Sequence, residues 1–172
     1  MDPISQKHRS WIMSRIRSRN TKPEIMARSI LHRMGYRFTV RGPRNRDLPG
    51  RPDIVLPRHR AAVFVHGCFW HRHAGCSAAS HPGTRQEYWR KKFENNVARD
   101  QRHQRALKKT GWRIRVVWEC QIVKQPERVA RTLDQWLGPR TNARYAALPD
   151  RKTLYKMAEA RADYATLSRH RC

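Results

Sequence analysis

Cysteine and histidine side chains cluster in one short stretch of this chain, where together they could bind a metal ion. Cys68 and Cys76 enclose His71 and His73, and Cys120 follows a predicted strand further along the chain. If that strand neighbours the strand ending before Cys68, the third thiolate lies beside the first. Three thiolates and one imidazole form a closed tetrahedral zinc site, so the spacing predicts structural zinc.

The spacing leaves the fourth ligand open. The candidates are His71, His73 and His81. The alternative interpretation of the cluster is that Cys68 and Cys120 are small buried residues and that the histidines are solvated.

Two carboxylates could bind the metal ion of a hydrolytic site. Asp53 follows the loop sequence Leu-Pro-Gly-Arg-Pro and opens an apolar strand, which places its carboxylate at the edge of a sheet. Phosphodiester hydrolysis commonly uses Mg²⁺, which takes one or two carboxylates plus waters and phosphate oxygens. Asp53 and Glu24 could supply these carboxylates, and a nearby histidine could act as general base. The structural alternatives are a turn carboxylate paired with Arg51 for Asp53 and a helix-capping residue for Glu24.

The charge of the chain indicates a polyanionic partner. Thirty-eight Lys and Arg against thirteen Asp and Glu give a formal net charge of +25. Such a field attracts nucleic acid first and an acidic membrane surface second. No run approaches the ~18 consecutive apolar residues of a transmembrane helix, and the first residues lack the apolar core of a secretory signal. We therefore expect a folded, cytoplasmic protein that binds nucleic acid.

The elements that must position these residues alternate between helices and strands. Capping-box patterns predict a helix from Thr21 to a stop at Gly35 and a long helix from Thr84 to about Thr110. Apolar and alternating runs predict strands at 36–40, 53–57, 61–66 and 112–118, and Pro126 opens a helix that ends before Gly138. This order predicts an α/β layer fold with a mixed sheet between helices.

The same features divide the chain into three parts. Residues 1–20 are predicted to form a basic N-terminal arm or short helix that contacts DNA, and residues 21–138 the main domain. Residues 139–172 are predicted to form a basic appendage with little core-forming power.

Four segments, in order, resemble the very-short-patch (Vsr) mismatch endonucleases. They are LPGRPD at 48–53, VFVHGCFWH at 63–71, NVARD at 96–100, and GWR with VWEC within 111–120. The similarity covers about residues 5–137, and the pair LPGRPD and HGCFWH is its most specific part. It implies a restriction-endonuclease-like core with a mixed central sheet flanked by helices. It also implies an enzyme that nicks DNA 5′ of the thymine in T:G mismatches, which arise when 5-methylcytosine deaminates, and so initiates very-short-patch repair.

The resemblance implies roles for the residues of the predicted active site. Asp53 looks like the carboxylate that binds Mg²⁺, and His71 looks like the general base that activates water. His66 and Glu24 look like supporting active-site residues. The chain departs from the family at Val65, where relatives often have Thr. Val65 is harmless if this position offers the metal only its backbone carbonyl, and it alters metal binding if the hydroxyl takes part.

The resemblance also implies a structural zinc site and an aromatic wedge. The residues that fall on the zinc ligands are Cys68, His73, Cys76 and Cys120. The residues that match a wedge inserted beside the mismatch are Phe69, Trp70 and Trp89, and Met13 matches a residue that intercalates from the other groove. Without the resemblance, Phe69 and Trp70 would be placed in the core under the zinc loop.

The implied partner is double-stranded DNA with a T:G mismatch, bound by a monomer that works alongside mismatch-repair proteins. Two other functions fit parts of the sequence. One is a nuclease of different specificity on the same core, and the other is a zinc-stabilised DNA-binding module that has lost catalysis. The aromatic pair Phe69–Trp70 argues against the first, because a nuclease that reads intact duplex has less need of a wedge. The presence of both Asp53 and His71 argues against the second.

Overall fold

The computed structural model describes residues 19–40, 42–138 and 149–167, together with Ser5, Lys7, His8 and Trp11. Met13, the predicted N-terminal intercalating residue, lies outside the described residues. The described strands are β1 (Ile54–Leu56), β2 (Ala61–His66) and β3 (Arg113–Trp118). The described α-helices are α1 (Lys22–Arg33), the one-turn α2 (Pro43–Arg46), α3 (Gln86–Lys109), α4 (Glu119–Lys124), α5 (Pro126–Leu137) and α6 (Arg151–Leu167).

The three strands form a mixed sheet in the order β1-β2-β3. β1 pairs antiparallel with β2, and β2 pairs parallel with β3. In the parallel pair, His66 is opposite Trp118, so both strands end at the same edge of the sheet. This α/β arrangement, with a mixed sheet and flanking helices, is the predicted fold class.

Helices cover both faces of the sheet. One face packs against α1, α4, α5 and α6 in a large apolar core that includes Ile30, Val63 and Leu133. The other face packs against α3 through a smaller cluster centred on Phe64 and Leu107. In the described part of the chain, no helix has the length and hydrophobicity needed to cross a lipid bilayer.

Local sequence signals position α1 and α5 as predicted. The Thr21 side chain caps α1 by accepting from the backbone N–H of Glu24, and the Glu24 side chain reaches back to the backbone of Thr21, which completes the capping box. Gly35 follows the end of this helix with φ 81°, a conformation that favours glycine. α5 begins at Pro126, and Gly138 caps its end.

Three predicted elements differ in the structure. Residues 36–40 form no strand, only an isolated bridge between Thr39 and Val55. The Tyr36 N–H donates to the Leu31 carbonyl at the end of α1 at 2.9 Å, so it is not available to a partner strand, and the Tyr36 hydroxyl donates to Asp134 Oδ1 at 2.7 Å. The long helix begins at Gln86, not at a Thr84 capping box; its N-cap is Arg85, in a left-handed conformation without a side-chain cap. A turn of helix, α2, interrupts the predicted loop 41–52.

The C-terminal segment contributes more to the core than its composition predicts. Leu154 and Ala158 of α6 are each 1% exposed and belong to the large apolar core. Lys22 Nζ of α1 forms an ion pair with Glu159 Oε1 at 2.6 Å. The expectation of little core-forming power is therefore wrong for α6, while the division of the chain at residue 138 stays a prediction.

Candidate active site and metal centre

The parallel pairing of β2 and β3 brings the predicted zinc ligands together. Because His66 and Trp118 are opposite each other, Cys68 and Cys120 leave the sheet side by side. The ligand atoms of Cys68, His73, Cys76 and Cys120 all lie within 4.8 Å of one another. His73 Nδ1 is 3.2 Å from Cys120 Sγ and 3.6 Å from Cys68 Sγ. We call these four residues the metal centre.

The structure selects His73 as the histidine of the metal centre. Its ring stacks on the Trp118 ring with centroids 4.2 Å apart, which fixes the imidazole against the end of β3. Neither His71 nor His81 belongs to the group of four.

The donor chemistry of the metal centre suits a metal ion. Burial raises the pKa of the Cys68 thiol to about 12, so a thiolate forms there only when a cation compensates its charge. Soft thiolate and imidazole donors in a set of four match the closed sites that hold Zn²⁺. The metal centre can therefore hold a metal ion of this class.

A cleft of about 850 Å³ lies at the same edge of the sheet and is lined by all four predicted catalytic residues. They are Glu24 of α1, Asp53 before β1, His66 at the end of β2, and His71 in the following loop. The opposite wall comes from α3, which contributes Lys92, Asn96, Arg99 and Asp100. The fold thus brings together residues that are up to 98 positions apart in the sequence, from Thr21 to Glu119.

His71 is held between a carboxylate and a second imidazole. His71 Nδ1 lies 2.5 Å from Asp100 Oδ2. The rings of His71 and His66 stack with centroids 3.9 Å apart. Burial and the neighbouring His71 lower the pKa of His66 to about 4, so His66 is a neutral imidazole at physiological pH.

Asp100 is a site residue to which the sequence by itself assigns no role. Burial by itself would raise the pKa of its carboxyl, but the hydrogen bond and charge of His71 outweigh burial and lower that pKa. The one feature of the sequence that points to Asp100 is its place in the segment NVARD, four positions after Asn96 and therefore on the same face of α3. A sequence cannot show which histidine that face meets.

Asp53 is a partly buried carboxylate that the backbone orients. The Val65 N–H donates to Asp53 Oδ2 at 2.7 Å. Burial raises the pKa of Asp53 to about 6 although this hydrogen bond opposes the shift, and the Glu24 charge raises it further. Among the described residues Asp53 forms no ion pair, so the alternative of a turn carboxylate paired with Arg51 is wrong. A carboxylate oxygen without a direct ion-pair partner in the described part of the chain suits a hard cation such as Mg²⁺.

Glu24 combines its place in the cleft with the helix cap. Its Oε2 accepts from the Asn20 N–H at 3.0 Å and from Arg28 Nη2 at 2.7 Å. Its Oε1 accepts from the Thr21 hydroxyl at 2.9 Å. The structural alternative for Glu24, a capping residue, is thus present together with its position beside Asp53.

The predicted wedge residues form an aromatic cluster outside both apolar cores. Phe69 lies within 5.1–5.5 Å, between ring centroids, of Trp70, Trp89 and Phe93. Phe69, Trp70 and Trp89 are each half-buried, and Trp70 also lines the cleft. The alternative placement of Phe69 and Trp70, in the core under the zinc loop, does not match this arrangement, because neither ring belongs to the two apolar cores of the described residues. We call Phe69, Trp70, Trp89 and Phe93 the aromatic cluster.

Comparison with known proteins finds relatives that cut DNA. Residues 1–77 match the family model described as DNA mismatch endonuclease Vsr. The type II nicking enzyme V.XorIIP of Xanthomonas oryzae pv. oryzae is 50% identical over 121 residues, which cover 70% of this chain and 86% of that enzyme. The DNA mismatch endonuclease Vsr of Escherichia coli is 38% identical over 133 residues, which cover 75% of this chain and 83% of that enzyme. The type II nicking enzyme V.NmeAIP of Neisseria meningitidis is 36% identical over 121 residues, which cover 70% and 84%.

Proposed function

Because the chain belongs to the Vsr family of DNA mismatch endonucleases, we propose that it nicks one strand of duplex DNA 5′ of the thymine in a T:G mismatch. Such a nick at a deaminated 5-methylcytosine would start very-short-patch repair. The observation that carries the proposal is that Asp53, His66, His71 and Asp100 share one cleft with the half-buried ring of Trp70.

The charge of the chain and of the cleft supports DNA as the substrate. The formal net charge is +25, and the cations that line the cleft are Lys22, Arg51, Lys92 and Arg99. Contacts between such side chains and phosphates supply most of the non-specific affinity for DNA and make it dependent on salt. Duplex DNA therefore fits the cleft electrostatically.

His71 is suited to act as the general base of phosphodiester hydrolysis. The Asp100 carboxylate accepts from His71 Nδ1–H, which leaves Nε2 unprotonated and able to take a proton from water. The neutral His66 ring, stacked on His71, adds no positive charge that would oppose protonation of the base. His66 and Asp100 thus hold the His71 ring in position.

Asp53 would hold the catalytic Mg²⁺, with Glu24 as a supporting acid. When bound, this ion would neutralise charge that develops on the phosphate. The Val65 position can take part only through its backbone, and its N–H already orients Asp53. The metal centre would hold Zn²⁺ in a structural role, because four ligands leave no open coordination position.

The aromatic cluster would supply the selectivity for mismatches. Inserting apolar side chains between base steps costs a few kcal/mol of stacking energy, and this cost is lower where pairing is already weakened. Trp70 is one residue from His71 and lines the same cleft. Insertion at the mismatch would therefore also place the scissile phosphate near the general base.

A nicking assay on duplexes that differ only in a T:G or T:A pair tests the proposal. We expect Mg²⁺-dependent nicking of the T:G duplex alone. Equal nicking of both duplexes would instead support the alternative function, a nuclease of different specificity on the same core. The variant Asp53→Ala should bind mismatched DNA but not cut it, and Asp47→Ala, an exposed aspartate of the preceding loop, is the matched control.

The aromatic cluster has its own test. The double variant Phe69→Ala with Trp70→Ala should cut the T:G duplex at a greatly reduced rate while binding to matched duplex changes little. Tyr88→Ala, which removes a ring that is 55% exposed, controls for the loss of aromatic surface. Loss of zinc or unfolding of the double variant would contradict the wedge role.

A further inference from the structure

One carboxylate on the wall of the cleft is left without a partner by the described residues. The carboxylates that line the cleft are Glu24, Asp53, Asp100 and Glu119. The first three accept hydrogen bonds from Arg28, the Val65 N–H and His71 respectively. Glu119 is exposed, and within the described ranges no side chain or backbone N–H donates to it.

The backbone of Glu119 is held firmly in place. Glu119 lies between Trp118, whose ring stacks on His73, and Cys120, whose thiol is 3.2 Å from His73 Nδ1. The metal centre therefore anchors both neighbours of Glu119. The backbone that carries the carboxylate is thus held in place at the wall of the cleft, and a binding group needs such a support.

Glu119 lies close to the ring proposed to enter the DNA. A Cβ added to Gly67 would be 3.5 Å from Trp70 Cδ1 and 3.6 Å from Glu119 Oε2. The indole edge and the carboxylate thus both lie beside Gly67. Any base that stacks against Trp70 would have its edge within reach of Glu119.

The charge of Glu119 limits what it can do in a cleft that binds DNA. A carboxylate repels phosphates, so its presence weakens backbone binding unless it gains a contact elsewhere on the DNA. The hydrogen-bond donors that DNA offers are the amino groups of its bases, and the cytosine N4 amino group is the usual partner of Glu or Asp.

We propose that Glu119 is a specificity-determining residue, which accepts a hydrogen bond from the N4 amino group of a cytosine next to the base step that Trp70 enters. The inference rests on the proposed function, because it assumes that mismatched DNA occupies the cleft. It gives the enzyme a preference for the base pair that flanks the mismatch. Discrimination by such a contact amounts to roughly 5- to 150-fold.

The test compares four T:G duplexes that differ in one base pair beside the mismatch, with a set for each flanking position. Single-turnover nicking is measured with Mg²⁺, and equilibrium binding of the same duplexes is measured in EDTA. The variants are Glu119→Ala and Glu119→Gln, and Glu127→Ala is the control because Glu127 is an exposed glutamate of α5 outside the cleft. Zinc content and thermal unfolding of each variant confirm that the metal centre is intact.

We expect the wild-type chain to prefer cytosine at one flanking position and Glu119→Ala to reduce this preference at least fivefold, in cutting and in binding. Glu119→Gln should move the preference toward adenine, because an amide pairs with adenine N6 and N7. An unchanged preference would overturn the inference. A uniform loss of rate on all duplexes, with a higher Mg²⁺ requirement, would also overturn it, since Glu119 would then serve the metal ion. Failure of the proposed function is a separate result: the wild-type chain would not cut T:G duplexes, while the binding measurements would still test Glu119.

Discussion

Replacing Asp53 with asparagine should stabilise the protein in Mg²⁺-free buffer while it abolishes nicking. The pKa of Asp53 is raised from 3.8 to about 6, chiefly by burial and further by the Glu24 charge. The folded state therefore binds this proton more tightly than the unfolded state does. The contribution of Asp53 to stability is complete below pH ~4 and is lost as the pH rises through about 6. At pH 7 to 8 the ionised carboxylate costs about 3 kcal/mol relative to a neutral side chain, at about 1.36 kcal/mol per pKa unit.

The asparagine variant removes this cost and keeps the local geometry. Its side-chain oxygen can still accept from the Val65 N–H, which donates to Asp53 at 2.7 Å in the wild-type chain. For a chain of this size, about 3 kcal/mol corresponds to a rise of roughly 6–12 °C in melting temperature. Thermal unfolding followed by circular dichroism, from pH 4 to pH 8 with zinc held constant, measures the difference between variant and wild type. Asp47→Asn serves as the control, because Asp47 is exposed.

The pH dependence of this difference is the decisive result. We expect the melting temperatures of variant and wild type to agree near pH 4 and to separate as the pH rises through about 6. Added Mg²⁺ should raise the melting temperature of the wild type and leave Asp53→Asn unchanged, because a bound ion stabilises the folded state only where it binds. A variant less stable than wild type at pH 7, or a difference that does not depend on pH, would refute the reasoning from burial. Equal stabilisation of both proteins by Mg²⁺ would refute Asp53 as the ligand.

Three further predictions concern the metal centre, the stability of the protein at acid pH and the C-terminal helix. Cys120→Ser should lose its bound metal in elemental analysis and melt at a lower temperature, because a structural site contributes folding energy. Burial lowers the pKa of His66 to about 4, so the stability that depends on neutral His66 should be lost as the pH falls from about 6.5 toward 4. In urea unfolding, the free energy of unfolding of His66→Gln should fall less than that of the wild type over this pH range. An equal fall in both proteins would contradict the prediction. Leu154→Ala should destabilise the protein by about 2–5 kcal/mol, because it opens a cavity in the core; a change below about 0.5 kcal/mol would mean that α6 does not pack as described.

Short-range signals in the sequence determined several elements of the fold. The capping box of Thr21 and Glu24, the Pro126 start and the Gly138 stop act within one helical turn, so their effect is independent of the rest of the fold. The apolar run of β2 is buried at five of its six positions, as expected for a central strand. The place of Cys120 beside Cys68 needed only one further assumption, that β2 and β3 are neighbours, and their parallel pairing meets it.

Tertiary packing decided what local signals could not. The Tyr36 hydroxyl donates to Asp134, 98 positions away, and Leu154 enters a core that the composition of its own segment does not indicate. Asp100 and Glu119 acquire significance only because α3 and the end of β3 face the same cleft as Asp53. A carboxylate has the same chemistry wherever it stands in the sequence. Its burial, its partner and its pKa depend on which distant elements pack around it, and only the folded chain specifies those neighbours.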